Sequence, residues 1–180
     1  MLHAILFWGA FQKGCLLALT TLAAFFDLKK RRIPNFLILA GLIAGLVLHL
    51  SVVPYAGAAP LIDMIVGMLI PLVPGFLLFC FHTAGAGDIK LLMAVGALLG
   101  RASIGHFTWI CLLVAALFSL FVIAESKNGR QCFSAFGRWV RTCLITRSLI
   151  SYPIHTSLTF PFAVPVFITS VLYCAGILAR

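Results

Sequence analysis

Phe25-Phe26-Asp27-Leu28-Lys29-Lys30-Arg31-Arg32-Ile33-Pro34-Asn35 is where one long apolar run stops and the next begins. Residues 14–26 and 33–53 on either side are almost wholly apolar, and four consecutive cations between them belong at an aqueous boundary. Pro34 supplies a helix-start signal for the second run. The stretch therefore reads as a tight basic turn between two membrane helices, with Asp27 left at the edge of the apolar phase. An acid in that position is costly to keep and is a functional candidate by default.

The rest of the chain repeats the pattern. Of 180 residues, 63% are hydrophobic and 9% charged, and the mean hydropathy is +1.16. Soluble domains carry about 45–50% apolar and about 25% charged residues, so this chain is not built for water. Apolar runs recur at 14–26, 33–53, 61–81, 89–99, 104–124 and 159–179. A crossing needs about 20 predominantly apolar residues. The first run reaches that length only by taking in 5–11, with Gln12 and Lys13 inside it, and 89–99 is short. The expected fold is all-α: one polytopic membrane domain over 1–180 with about six transmembrane helices. Pro71 and Pro74 fall inside the third run, where they are expected to kink it.

Charge placement gives the expected orientation. If the loops alternate sides, one side collects Lys29, Lys30, Arg31, Arg32, Lys90, Lys127, Arg130, Arg138, Arg141 and Arg147, ten of the thirteen Lys and Arg. Cytoplasmic loops carry that excess, which puts both termini outside. The net charge of +9 thus reads as topology and attraction to anionic lipid headgroups, not as a nucleic-acid footprint. The Lys29–Arg32 cluster follows the first apolar run, where a cleaved signal peptide would have its charge first. In the polar stretch 125–153, Phe133, Phe136, Val140 and Leu144 recur at helical spacing, as in an amphipathic helix on the cytoplasmic leaflet. The six cysteines are scattered without a C-x-x-C pair and read as small apolar helix residues.

Only three other acids exist: Asp63, Asp88 and Glu125. Asp88 stands in Gly85-Ala86-Gly87-Asp88-Ile89-Lys90, again where an apolar run meets a cation. Two crossings separate Asp27 from Asp88, and an even number returns the chain to its starting side, so the two can meet at the cytoplasmic face. Asp63 and Glu125 read as solvated helix-end residues. Two carboxylates within about 3 Å cannot both ionise and hold one proton between them. That division supplies a base to activate water and an acid to polarise a carbonyl, the requirement for hydrolysing a peptide bond without a covalent intermediate. Gly85 and Gly87 would let backbone approach a substrate strand and adopt positive φ. Spacing alone does not separate this from glycines that let helices pack. No G-x-S-x-G, H-E-x-x-H or P-loop sequence is present. Of the dispersed histidines, His82 lies six positions before Asp88 and reads as interfacial.

Asp27 with Arg32-Ile33-Pro34-Asn35, followed some sixty residues on by Gly85-Ala86-Gly87-Asp88-Ile89-Lys90-Leu91, resembles the type IV prepilin peptidases, bacterial GxGD aspartic proteases with an archaeal preflagellin-peptidase branch. The likeness covers roughly 23–100. It implies that Asp27 and Asp88 form the catalytic dyad and that Gly85 and Gly87 shape the site. Asn35 and Lys90 match family positions read as a turn-setting residue and an interfacial anchor. It further implies prepilin and pseudopilin substrates, cut after a short basic leader at the cytoplasmic face of the bacterial inner membrane, with no cofactor and no metal. Bifunctional members add an N-terminal cytoplasmic region with paired cysteines and N-methylate the product. This chain is expected to be without that region and looks like the short, peptidase-only type associated with tight-adherence (Flp) pili. Two other classes use the same residues differently: a small proton-coupled transporter with the acids as a relay, and a non-catalytic pilus or secretion assembly factor.

Overall fold

The computed structural model describes residues 2–51, 59–80, 85–125, 142 and 161–176. Its helices are α1 (Leu2–Lys30), α2 (Asn35–Leu50), α3 (Ala59–Leu69), α4 (Leu72–Cys80), α5 (Ala86–Glu125) and α6 (Ala163–Cys174). Among the described residues there is no strand. Gly9–Lys30, Ala59–Phe76 and Ala86–Val122 are long and apolar enough to cross a membrane, and Asn35–Leu50 and Ala163–Cys174 are shorter apolar helices.

Large apolar side chains cover much of the described surface. Trp109, Leu113, Leu117 and Phe121 form an exposed stripe at four-residue spacing on α5, Trp109 being 73% exposed. Exposed Leu39, Ile43 and Val47 do the same on α2. Meanwhile Thr20, Thr169 and Ser170 are buried, each hydroxyl donating to the carbonyl four residues earlier in its own helix. Thr108 is also buried, and its hydroxyl has no partner among the described residues. A body that exposes large apolar side chains and satisfies most of its buried hydroxyls within its own helices is suited to lipid.

The first run takes in 5–11 and carries Gln12 and Lys13 inside a single helix from Leu2 to Lys30, as its sequence suggests. Gln12 is accommodated because its Nε2 donates to the Leu98 carbonyl across the bundle. The runs 89–99 and 104–124, expected as separate crossings, are continuous helix except for a break at a single residue. Gly100 there has φ 70° and ψ 175°, a conformation essentially confined to glycine. The third run does break at its proline: α3 ends at Leu69, α4 starts at Leu72, and Pro71 is buried between them.

Contacts fix the directions. Phe26 meets Phe36 edge-on, so α1 and α2 are antiparallel. The space beside Gly41 and Gly45 of α2 is filled by Ala94 and Ala97, so the first half of α5 runs parallel to α2. Asp27 meets Ala163 and Lys13 meets Cys174, so α6 is antiparallel to α1. Phe107 meets Tyr173 and Cys111 meets Thr169, which makes the second half of α5 antiparallel to α6. The chain therefore turns back at Gly100, and the segments alternate in direction. The closest approach is between α3 and α5, where Gly67 and Gly96 bring backbone against backbone; a Cβ on either would collide with the other's carbonyl.

One end of the bundle thus gathers Asp27, Ile33, Gly85, Asp88 and Ala163. The other gathers Gln12, His49, Asp63, Gly100 and Arg101. Nearly all of 125–153, most of the 53–60 connector and His82 lie outside the described residues.

Candidate active site

Asp27 sits in the last turn of α1 and is 7% exposed. Its Oδ2 accepts the backbone N–H of Ala163, 136 residues away, at 3.0 Å. Its backbone carbonyl accepts the N–H of Arg31 at 2.8 Å, and Arg31 has φ 49°. This is the left-handed residue that often ends a helix, usually a glycine. Here a non-glycine residue takes it, at a steric cost of about 1–2 kcal/mol, and the chain turns at once into Arg32-Ile33-Pro34. Pro34 is the N-cap of α2.

Asp88 enters from the opposite side of the sequence. Gly85 is the residue before α5, and its carbonyl accepts the N–H of Asp88 at 3.0 Å. In return Asp88 Oδ2 accepts the N–H of Gly85, also at 3.0 Å. This is the reaching-back half of a capping box, an acid three residues into the helix satisfying the N–H of the capping residue. The Gly-x-x-Asp spacing therefore has a local structural cause. α4 packs close by, since a Cβ on Gly75 would stand 3.2 Å from Ile89.

The two acids lie at the same end of the bundle. The carboxyl of Asp27 is near enough for its charge to act on that of Asp88. Gly87 faces Ile33, with 3.8 Å from a Cβ at Gly87 to the Ile33 Cβ, which ties the first turn of α5 to the basic turn. Gly85 is exposed, and open space beside it is limited only by Asp88 Oδ2, 3.4 Å from where its Cβ would be. Neither glycine has positive φ, which corrects the expectation from sequence: an N-cap and a first helical turn use ordinary backbone angles. Asn35, the first residue of α2, and Lys90, in the first turn of α5, are both exposed.

A model of the type IV leader peptidase family matches residues 14–124, a span that holds Asp27, the basic turn and Gly85–Lys90. The chain belongs to that family. This leader peptidase is accordingly a peptidase of the prepilin-processing type, and its apolar helices agree with a membrane protein. Neither a curated protein nor a solved structure matches the chain.

Sequence reasoning missed one group at the site of this leader peptidase. Ala163 lies beyond the matched span and reaches Asp27 through a backbone N–H, which has no side-chain signature. The surrounding Pro161-Phe162-Ala163-Val164-Pro165 announces only a helix start. What the assembled groups can do follows from their chemistry. Two carboxyl groups within electrostatic reach, the residue types that acid–base chemistry on an amide requires, lie near exposed small residues at 85–86.

Proposed function

We propose that the chain is an aspartic endopeptidase that removes the short basic leader of Flp-type prepilins and pseudopilins at the cytoplasmic face of the bacterial inner membrane. The observation that carries this reading is the family match over 14–124, a span that holds Asp27 and Asp88, which lie at one end of the bundle. In the proposed reaction the ionised carboxylate takes a proton from a water. The water oxygen attacks the scissile carbonyl carbon, while the protonated carboxyl donates to the carbonyl oxygen. The tetrahedral intermediate then collapses, the carbon–nitrogen bond breaks, and the leaving nitrogen takes up a proton. A substrate must be extended where it is cut, because a helix hides its amides. Gly85, Ala86 and Gly87 offer a low edge for such a strand beside Asp88, and Lys90 and the Lys29–Arg32 cluster anchor that end at anionic headgroups.

The ten cations on one side support the cytoplasmic assignment, and the alternating helix directions support six crossings with the N-terminus outside. The test is co-expression with a small pilin that carries a basic leader, followed by gel mobility and the mass of the mature N-terminus. Cleavage immediately before the hydrophobic helix, leaving an unmethylated terminus, is expected. An unprocessed pilin, or a methylated product, contradicts the reading.

A further inference from the structure

α6 begins without a capping side chain. Its N-cap is Phe162, which makes no side-chain cap, and the first turn is sealed: Phe162, Ala163, Pro165 and Val166 are all buried. Every first-turn N–H must then find a partner within the protein. Val164 donates to the Pro161 carbonyl at 3.2 Å, Val166 closes the first helical bond to Phe162 at 3.4 Å, and Pro165 has no N–H to satisfy. That leaves Ala163, wholly buried, and its N–H goes to Asp27 Oδ2.

We infer that the start of α6 is a positioning element for Asp27, the Ala163 N–H fixing one carboxylate oxygen so that Asp27 is presented to Asp88 in a single orientation. The inference rests on the dyad reading and extends it to a helix outside the span that the family model matches. Three features support it. The bond is buried at both ends, so water does not compete for it. It engages Oδ2 alone. A helix N-terminus also favours an anionic partner through its dipole, so the attachment is strongest when Asp27 is charged, as a base must be.

The decisive perturbation is an amide-to-ester exchange at position 163, lactic acid in place of alanine, which deletes the N–H and leaves the side chain unchanged. Ala163→Pro serves as a genetically encoded second variant. Cleavage of a basic-leader pilin peptide is measured with each, together with thermal unfolding in detergent, in both the Asp27 and the Asp27→Ala backgrounds. The expected result for the ester is a kcat lower by about 10- to 100-fold, the size of one hydrogen bond to a charged group. KM stays within about 3-fold, since uniform substrate binding is untouched. The ester lowers the unfolding temperature more when Asp27 is present than in the Asp27→Ala background, where only the weakened Phe162 carbonyl acts. An ester with wild-type kcat overturns the inference, as does an ester effect on unfolding that is equally large without Asp27. Uncleaved peptide with the unmodified protein instead overturns the peptidase reading itself, and the unfolding cycle still decides whether Ala163 and Asp27 are coupled.

Discussion

The two ends of the bundle solve the same problem in ways that separate structure from chemistry. Three of the four acids accept a backbone N–H at or just before a helical segment: Asp88 at α5, Asp27 at α6, and Asp63 at the second half of α5, where Arg101 N–H donates to its Oδ1 at 3.3 Å. At the Asp63 end the negative charge is answered by a cation. Arg101 Nε lies 3.3 Å from Oδ1, and His49 Nε2 lies 3.9 Å from Oδ2 while its Nδ1 meets the Gly45 carbonyl. At the other end the charge that acts on Asp88 is that of another acid. An acid matched with a cation holds three elements together around the Gly100 reversal. An acid that feels the charge of another acid lacks that compensation, and under the proposed function this is what acid–base chemistry uses.

The largest difference is expected in activity. Asp27→Asn and Asp88→Asn should each lower leader cleavage by on the order of 10²–10⁴-fold, the usual worth of a general acid or base. Asp63→Asn should leave cleavage per folded molecule within about 3-fold of wild type. A quantitative gel-shift assay in isolated membranes checks all three.

The glycines should show the reverse contrast. Gly100→Ala forces a side chain into φ 70° and against the Asp63 carboxylate, so it should cost about 2–4 kcal/mol and show as lost accumulation or a lower Tm. Gly85 has an ordinary φ, and its added Cβ would lie 3.4 Å from Asp88 Oδ2. Gly85→Ala should therefore unfold within about 1 kcal/mol of wild type while raising KM for the leader.

A smaller effect sharpens the role of Asp27. Asp27→Ala leaves the buried Ala163 N–H without an acceptor, whereas Asp27→Asn can still offer it an oxygen. The alanine variant should be less stable by about 1–3 kcal/mol although both are inactive. Equal stability would mean that the bond contributes nothing to the fold. Asp63→Ala should cost less, about 1–2 kcal/mol, because its partners are partly solvated and Arg101 can turn to water.

Much of this was legible in the sequence. Counting crossings brought Asp27 and Asp88 to one end, because an even number of segments intervenes whatever their packing. Pro71 marked the break in the third run, since a missing N–H acts locally. The role of Asp63 was not legible. It was read as a solvated helix end, but it holds Arg101, 38 residues away, across a turn made by a single glycine. Gly100 carried no sequence signal that set it apart as the point of reversal. Gly85 and Gly87 were read as free to adopt positive φ because they lack side chains, and the structure uses Gly85 as a helix cap and sets Gly87 in ordinary contact with Ile33. Glu125, exposed at the end of α5, behaves as its sequence suggested.

The most direct measurement compares Asp88→Asn and Asp63→Asn in the same membranes, each co-expressed with a pilin carrying a basic leader, with pilin mobility as the readout. The account predicts unprocessed pilin with Asp88→Asn and mature pilin with Asp63→Asn at matched protein levels. Mature pilin with Asp88→Asn, or equal loss in both variants, would contradict it.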